Sequence, residues 1–136
     1  MVESYRDLVA WQKAMNLVHG IYEATMQLPD SERFGLLSQL RRAAVSIPSA
    51  LAEGHARAST REFSHYISIA RGSLAEVETQ LLISQRLGFL DSSRVDRLLS
   101  LCDEQSRILR GLRKSLDNKL AAVPRKRALA PRPSPL

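Results

Sequence analysis

Apolar positions recur along this chain at steps of three and four, in four separate blocks. Leu8, Trp11, Met15, Val18, Tyr22 and Thr25 keep the step without a fault and predict a first helix from about Tyr5 to Met26. Ser4 with Asp7 three residues on reads as its capping box, and Pro29 lies beyond its far end. Leu40, Ala44, Ile47, Leu51 and Gly54 mark a second helix, starting near Glu32 after a cap at Asp30 or Ser31 and ending at Gly54 or a turn later. Beside that stripe Gln39, Arg42, Ser46, Ser49 and Glu53 follow the same steps as a polar seam, with Ala43 and Ala50 keeping the flanks thin.

Pro48 falls inside this second block. It has no N–H for the carbonyl of Ala44, and a proline in a helix interior costs about 3 kcal/mol. The apolar steps nevertheless keep phase from Leu40 through Leu51, so the pattern predicts a helix that continues, kinked, through Pro48, with Ser46 or Ser49 taking up part of the freed hydrogen bonding. Ser59 with Glu62 is a second capping box, followed by Phe63, Ile67, Ala70, Leu74, Val77 and Leu81, and Gly88 stands where a left-handed C′ residue closes a helix. Asp91 to Ser93 can cap the fourth helix, whose seam is Val95, Leu98, Cys102, Gln105, Leu109, Leu112 and Leu116.

Four helices of similar length with short loops predict an all-α fold, an antiparallel up-and-down four-helix bundle over residues 1–120. From Ala121 the chain reads AAVPRKRALAPRPSPL, whose four prolines exclude a helix, so residues 121–136 are expected to form a disordered C-terminal tail. Gly72, inside the third helix, costs about 1 kcal/mol relative to alanine. It marks close approach by a neighbouring helix or, as the sharper alternative, backbone exposed to a ligand.

Composition adds little to this picture until charge is divided along the chain. A length of 136 residues suits one domain with a real core, and 44% hydrophobic with 25% charged residues is ordinary for a soluble protein. No apolar run approaches the ~18 residues of a membrane span, and the N-terminus lacks the apolar core of a secretion signal, so a cytoplasmic protein without membrane association is expected. The net charge is +6, but the residues after Asn118 contribute five cations and no acid, which leaves 6 − 5 = +1 for the rest. The lone Cys102 cannot form an internal disulfide and fits the apolar stripe as a small core residue.

Catalytic chemistry finds no foothold. His19, His55 and His65 lack metal-ligand spacing, no phosphate-cradling glycine loop or nucleophile elbow occurs, and no cofactor is expected. Glu53 suits a structural ion pair better than general acid–base work, since Arg42 shares its face and Arg57 lies one turn on.

Leu8 with Trp11, Gln12, Lys13 and Ala14, then QLRRAAVSIPSALAEG from Gln39 to Gly54, then Glu62, Phe63, Ile69, Ala70, Gly72, Ser73, Leu74 and Glu76 together resemble the four-helix-bundle protein family encoded within ribosomal RNA intervening sequences. The resemblance spans roughly Tyr5 to Leu116 and rests most on the motif of Ser46, Pro48, Ser49, Glu53 and Gly54 and on Gly72. Ala50 and Leu51 depart from it, since the family usually has asparagine and isoleucine there. The resemblance implies an antiparallel four-helix bundle that assembles as a homopentamer. It also implies similarity to the accessory proteins of diversity-generating retroelements, which are pentameric and bind nucleic acid and a reverse transcriptase.

Two basic groups suit such a role. Arg107, Arg110, Arg113 and Lys114 crowd the last helix, while Arg41, Arg42, Arg57, Arg61 and Arg71 surround the central motif. The ordinary alternative is a solvated surface paired with Glu62, Glu76, Asp103 and Glu104. A cyclic oligomer would repeat each patch around its axis, and the low aromatic count favours backbone or shape recognition of ribosomal or other structured RNA over base stacking. The expected function is a non-enzymatic homo-oligomer that associates with structured RNA. The alternative is a protein-interaction scaffold presenting Arg42, Ser46, Ser49 and Glu53 to a protein partner or a neighbouring subunit.

Overall fold

The structure, a computed structural model, describes residues 4–122. The expected tail, apart from Ala121 and Ala122, lies outside the described residues. A short 3₁₀ turn at Tyr5–Asp7 precedes α1 (Val9–Thr25), and a second at Asp30–Glu32 precedes α2 (Leu36–His55); α3 (Thr60–Arg86) and α4 (Ser92–Ala122) follow. Each helix packs on its neighbours in the cycle α1–α2–α3–α4–α1, and the diagonal pairs do not meet, which is the arrangement of a four-helix bundle. The α2–α3 pairing is the most extensive.

The helix lengths are 17, 20, 27 and 31 residues, so the expected similarity of length does not hold. At 1.5 Å per residue, α4 runs roughly 20 Å longer than α1. Two boundaries account for the shortening of the first pair. Ser4 caps the 3₁₀ turn by accepting from the Arg6 N–H at 3.1 Å, and Leu8 is extended, so α1 starts four residues later than the pattern suggests. At α2, Asp30 and Ser31 belong to a separate turn, and the Glu32 carboxylate accepts from the Leu36 N–H at 3.1 Å in the capping role expected of them.

The remaining ends follow their sequence signals. Ser59 Oγ accepts from Glu62 N–H at 2.9 Å, and Asp91 Oδ1 accepts from Arg94 N–H at 2.7 Å. Gly88, at φ +78°, ends α3: its N–H donates to the Gln85 carbonyl at 3.0 Å while the Phe89 N–H donates to the Ser84 carbonyl at 2.9 Å, the paired bonds of a Schellman motif. α2 continues through Pro48 without a break. Ser46 Oγ donates to the carbonyl of Ala43 at 3.0 Å, one residue before the carbonyl that Pro48 leaves without a donor.

The core consists of the predicted seams of α2, α3 and α4. Leu40, Ala44, Ile47, Leu51, Ile67, Ala70, Val77, Leu81, Val95, Cys102 and Leu109 are fully buried. On α1 the seam is a different one. Ala10, Ala14, Leu17, Ile21, Ala24 and Thr25 are buried, whereas Trp11 and Val18 are half-buried and Met15 and Tyr22 exposed. The small residues let α1 approach its neighbours closely around Leu17 and Ile21, and Trp11, Met15, Val18 and Tyr22 are left on the rim.

Candidate nucleic-acid interface

The nine basic residues singled out by their pattern divide by what each guanidinium or ammonium touches. Arg41 is committed to the fold. Its Nε donates to Thr25 Oγ1 at 2.9 Å and its guanidinium lies 4.4 Å from the centre of the Tyr22 ring, tying α2 to α1. Arg57 is committed as well, since its Nη2 donates to Glu53 Oε2 at 3.1 Å and to the Tyr66 hydroxyl at 2.7 Å, and Tyr66 in turn donates to Glu53 at 3.1 Å. Glu62 is 3.8 Å away on the other side. The Glu53 hydrogen bond first, and the Tyr66 charge next, raise the Arg57 pKa above its ordinary value.

Glu53 therefore holds the structural ion pair expected of it, with Arg57 rather than Arg42, and the cluster joins the end of α2 to the start of α3. Tyr66 completes that cluster and was not legible as part of it, because its position on the α3 pattern carries no signal about which residue of α2 it meets.

Arg113 is held between α3 and α4. Its Nη1 donates to Ser68 Oγ and its Nε lies 3.6 Å from Asp117, which also accepts from Ser64 Oγ at 3.0 Å. The other six, Arg42, Arg61, Arg71, Arg107, Arg110 and Lys114, have no carboxylate oxygen within 4.0 Å among the described residues. Five of those six are arginines with no competing acid to displace. Of the acids expected to neutralise them, Glu104 pairs with Lys13 at 3.5 Å and Glu62 with Arg57, while Asp103 and Glu76 make no ion pair among the described residues.

Position sorts them further. Arg107, Arg110 and Lys114 are exposed along one line of α4, and Arg71 and Arg113 line the same groove between α3 and α4. α4 and the facing edge of α3 thus carry five of the nine. The cluster expected around the central motif disperses instead: Arg42 and Arg57 stand 15 residues apart on and just beyond α2, roughly 22 Å by helix rise. Arg42 borders a polar groove with Gln39, Ser46, Glu76 and Gln80, and Arg61 projects from the first turn of α3.

The motif residues have packing roles. At Gly54 α3 is pressed against α2, since a Cβ there would sit 2.6 Å from the Tyr66 Cβ. Gly72 is the opposite case, with no atom within 4 Å of a Cβ built on it, so the close approach expected at Gly72 occurs at Gly54. Ser46 Oγ, whose proton goes to Ala43, accepts from the Ser73 hydroxyl across the α2–α3 contact, Pro48 is buried, and Ser49 is exposed beside Trp11. Arg42, Ser46, Ser49 and Glu53 thus do not form one free seam for a partner.

A second surface was not legible in the pattern. Trp11, Met15 and Val18 on α1 and Val45, Pro48 and Ala52 on α2 line an open apolar groove of about 350 Å³, continued past Val45 by Tyr22, Leu37 and Phe34. Phe34 is 90% exposed and Met26 77%. No helix of the described residues is long and apolar enough to cross a membrane, and no group of three or more His, Cys, Asp or Glu among them is placed to hold a metal ion.

No curated protein is similar enough to the chain to count as a match. Residues 6–111, more than three quarters of the chain, match the family model described as 23S rRNA-intervening sequence protein. That span runs from the first 3₁₀ turn into the basic part of α4 and includes Arg71, Arg107 and Arg110. By this match and by its four-helix fold, the chain belongs to the 23S rRNA-intervening sequence protein family.

Proposed function

We propose that this protein is a non-enzymatic homo-oligomer whose bundle associates with structured RNA, ribosomal RNA first among the candidates, through the α3–α4 side. The observation that carries the reading is the run of Arg71, Arg107, Arg110 and Lys114 with no carboxylate within 4.0 Å among the described residues, beside Arg113. Cations without a carboxylate partner bind phosphates at no cost in broken ion pairs, and the family's name supplies the ribosomal RNA.

Self-association is supported by the apolar groove between α1 and α2. A groove of this kind set against a different part of the next copy is a head-to-tail contact, which closes into a ring where its rotation permits. A homopentamer follows from the family resemblance, and such a ring repeats the α3–α4 cations around its axis.

The test is a titration of nucleic-acid-free protein into labelled ribosomal RNA fragments at several salt concentrations, using the full chain and a chain ending at Ala122. Affinity is expected to survive the truncation, and the combined change of Arg107, Arg110 and Lys114 to alanine is expected to reduce the slope of log K against log salt by about 0.7–0.9 per lost phosphate contact. Loss of all binding on truncation would assign it to the tail. The α1–α2 groove would then favour the scaffold reading, with a protein occupying that face.

A further inference from the structure

Gly72 has no explanation within the fold. A helical glycine weakens its helix, its φ is not positive, and no neighbour approaches the space where a Cβ would stand. Gly72 lines a groove of about 360 Å³ between α3 and α4, large enough for a tetrahedral anion and several waters at ~30 Å³ each. Arg71 and Arg113 line it with the hydroxyl-bearing Ser68 and Ser106. Arg113 is aimed by its bond to Ser68, and Arg110 reaches the Ser106 hydroxyl at 3.5 Å, which adds a third cation at the border. Glu78, the one acid on the wall, stands ten residues along α3 from Ser68, and burial, with the Asp103 charge second, raises its carboxyl above the ordinary value.

We propose that this groove is a phosphate-binding site, in which the guanidinium groups of Arg71 and Arg113 and the hydroxyls of Ser68 and Ser106 hold one phosphate group over the bare backbone at Gly72. Planar guanidinium groups present paired N–H donors that match phosphate oxygens, and serine hydroxyls donate to the oxygens that remain. The site lies at the end of the groove away from Glu78. It deepens the RNA reading above by assigning that surface a defined contact point, and the phosphate is either an RNA phosphodiester or a free phosphate compound.

Two readouts on the full chain separate these. In the first, the arginine Nε–H signals of ¹⁵N-labelled protein are followed during titration with inorganic phosphate, against chloride at equal ionic strength. Saturable shifts of Arg71 and Arg113 are expected in the parent protein, and at least a fivefold weaker response of Arg113 in Gly72→Leu and in Arg71→Gln. In the second, both variants are titrated into a labelled structured RNA. A fivefold or greater loss of RNA affinity in both identifies the ligand as the RNA backbone, whereas loss of the phosphate response with unchanged RNA affinity identifies a free phosphate compound. Arg71→Gln carries the comparison if light scattering shows that Gly72→Leu alters assembly. Shifts that do not saturate, or that are the same in parent and variants, overturn the site. Absence of RNA binding by the parent protein overturns the RNA reading alone, since the phosphate titration still decides the groove.

Discussion

Gly54 and Gly72 are the same residue type on helical backbone, yet their surroundings give opposite expectations. Adding a methyl group at Gly72 meets nothing, so Gly72→Ala is expected to stabilise the fold by about 1 kcal/mol, the helix-propensity difference. At Gly54 the same methyl group would sit 2.6 Å from the Tyr66 Cβ and 3.0 Å from Phe63 Cδ1, and the Cβ cannot move without its backbone. Separating α2 from α3 costs about 1–3 kcal/mol, more than the propensity gain, so Gly54→Ala is expected to lower stability. Thermal unfolding of the two variants side by side checks both signs. Cys102 gives a pH-dependent counterpart. Burial, with Glu78 and Asp103 adding to it, pushes its thiol up to about 12 from an ordinary 9.0. The folded state thus keeps a proton that the unfolded state releases. The stabilisation is fully present below pH 9 and is lost as pH rises from there to about 12, at ~1.4 kcal/mol per pH unit. Denaturant titrations at pH 8 and 10.5 are expected to show a larger loss for the parent than for Cys102→Ala, and equal losses would contradict the burial argument.

At the scale of elements, helix ends were predictable where a side chain two or three residues away decides them. Ser59 and Asp91 bond the N–H groups expected of caps, so Ser59→Ala is expected to cost about 0.5–2 kcal/mol in chemical denaturation, with Thr60 and Arg61 fraying first in amide exchange. Ends decided by the chain path were not predictable. Ser4 and Asp7 match the capping-box spacing, but Leu8 turns extended and the box caps only a 3₁₀ turn. Along α1, two apolar stripes lie side by side, one of Ala10, Ala14, Leu17, Ile21 and Ala24 and one of Trp11, Met15, Val18 and Tyr22. Hydrophobicity alone favours the stripe with larger side chains, whereas packing density favours the one that lets helices approach.

For the whole molecule, the stripe left outside is the feature that bears on assembly. Trp11, Met15, Val45 and Pro48 form an apolar groove rather than scattered exposed residues, and a contiguous face of this kind marks a contact surface. If it joins subunits, Trp11→Glu is expected to yield a smaller species by light scattering, with helical content retained because Trp11 is only half-buried in the single chain. An unchanged mass would place subunit contacts elsewhere. The basic side of the bundle is a property of the same scale. Arg107, Arg110, Arg113 and Lys114 already crowd α4, and the pairing of the two helices adds Arg71 from α3.

What residue order alone determined is what depends on near neighbours: four helices, the apolar seams of α2, α3 and α4, continuity through Pro48, and the caps at Ser59, Asp91 and Gly88. Each follows from a period of 3.6 residues or from a hydrogen bond reaching a few positions. The motif also carried the family. Tertiary structure decided which of two apolar stripes on α1 faces inward, which arginines are spent on Thr25, Tyr22, Glu53 and Asp117, and that Gly72 opens onto solvent while Gly54 is pressed against Tyr66. Apart from the one-turn pairs Arg57–Glu53 and Arg113–Asp117, those outcomes depend on contacts between different helices, which arise only once four helices share one core.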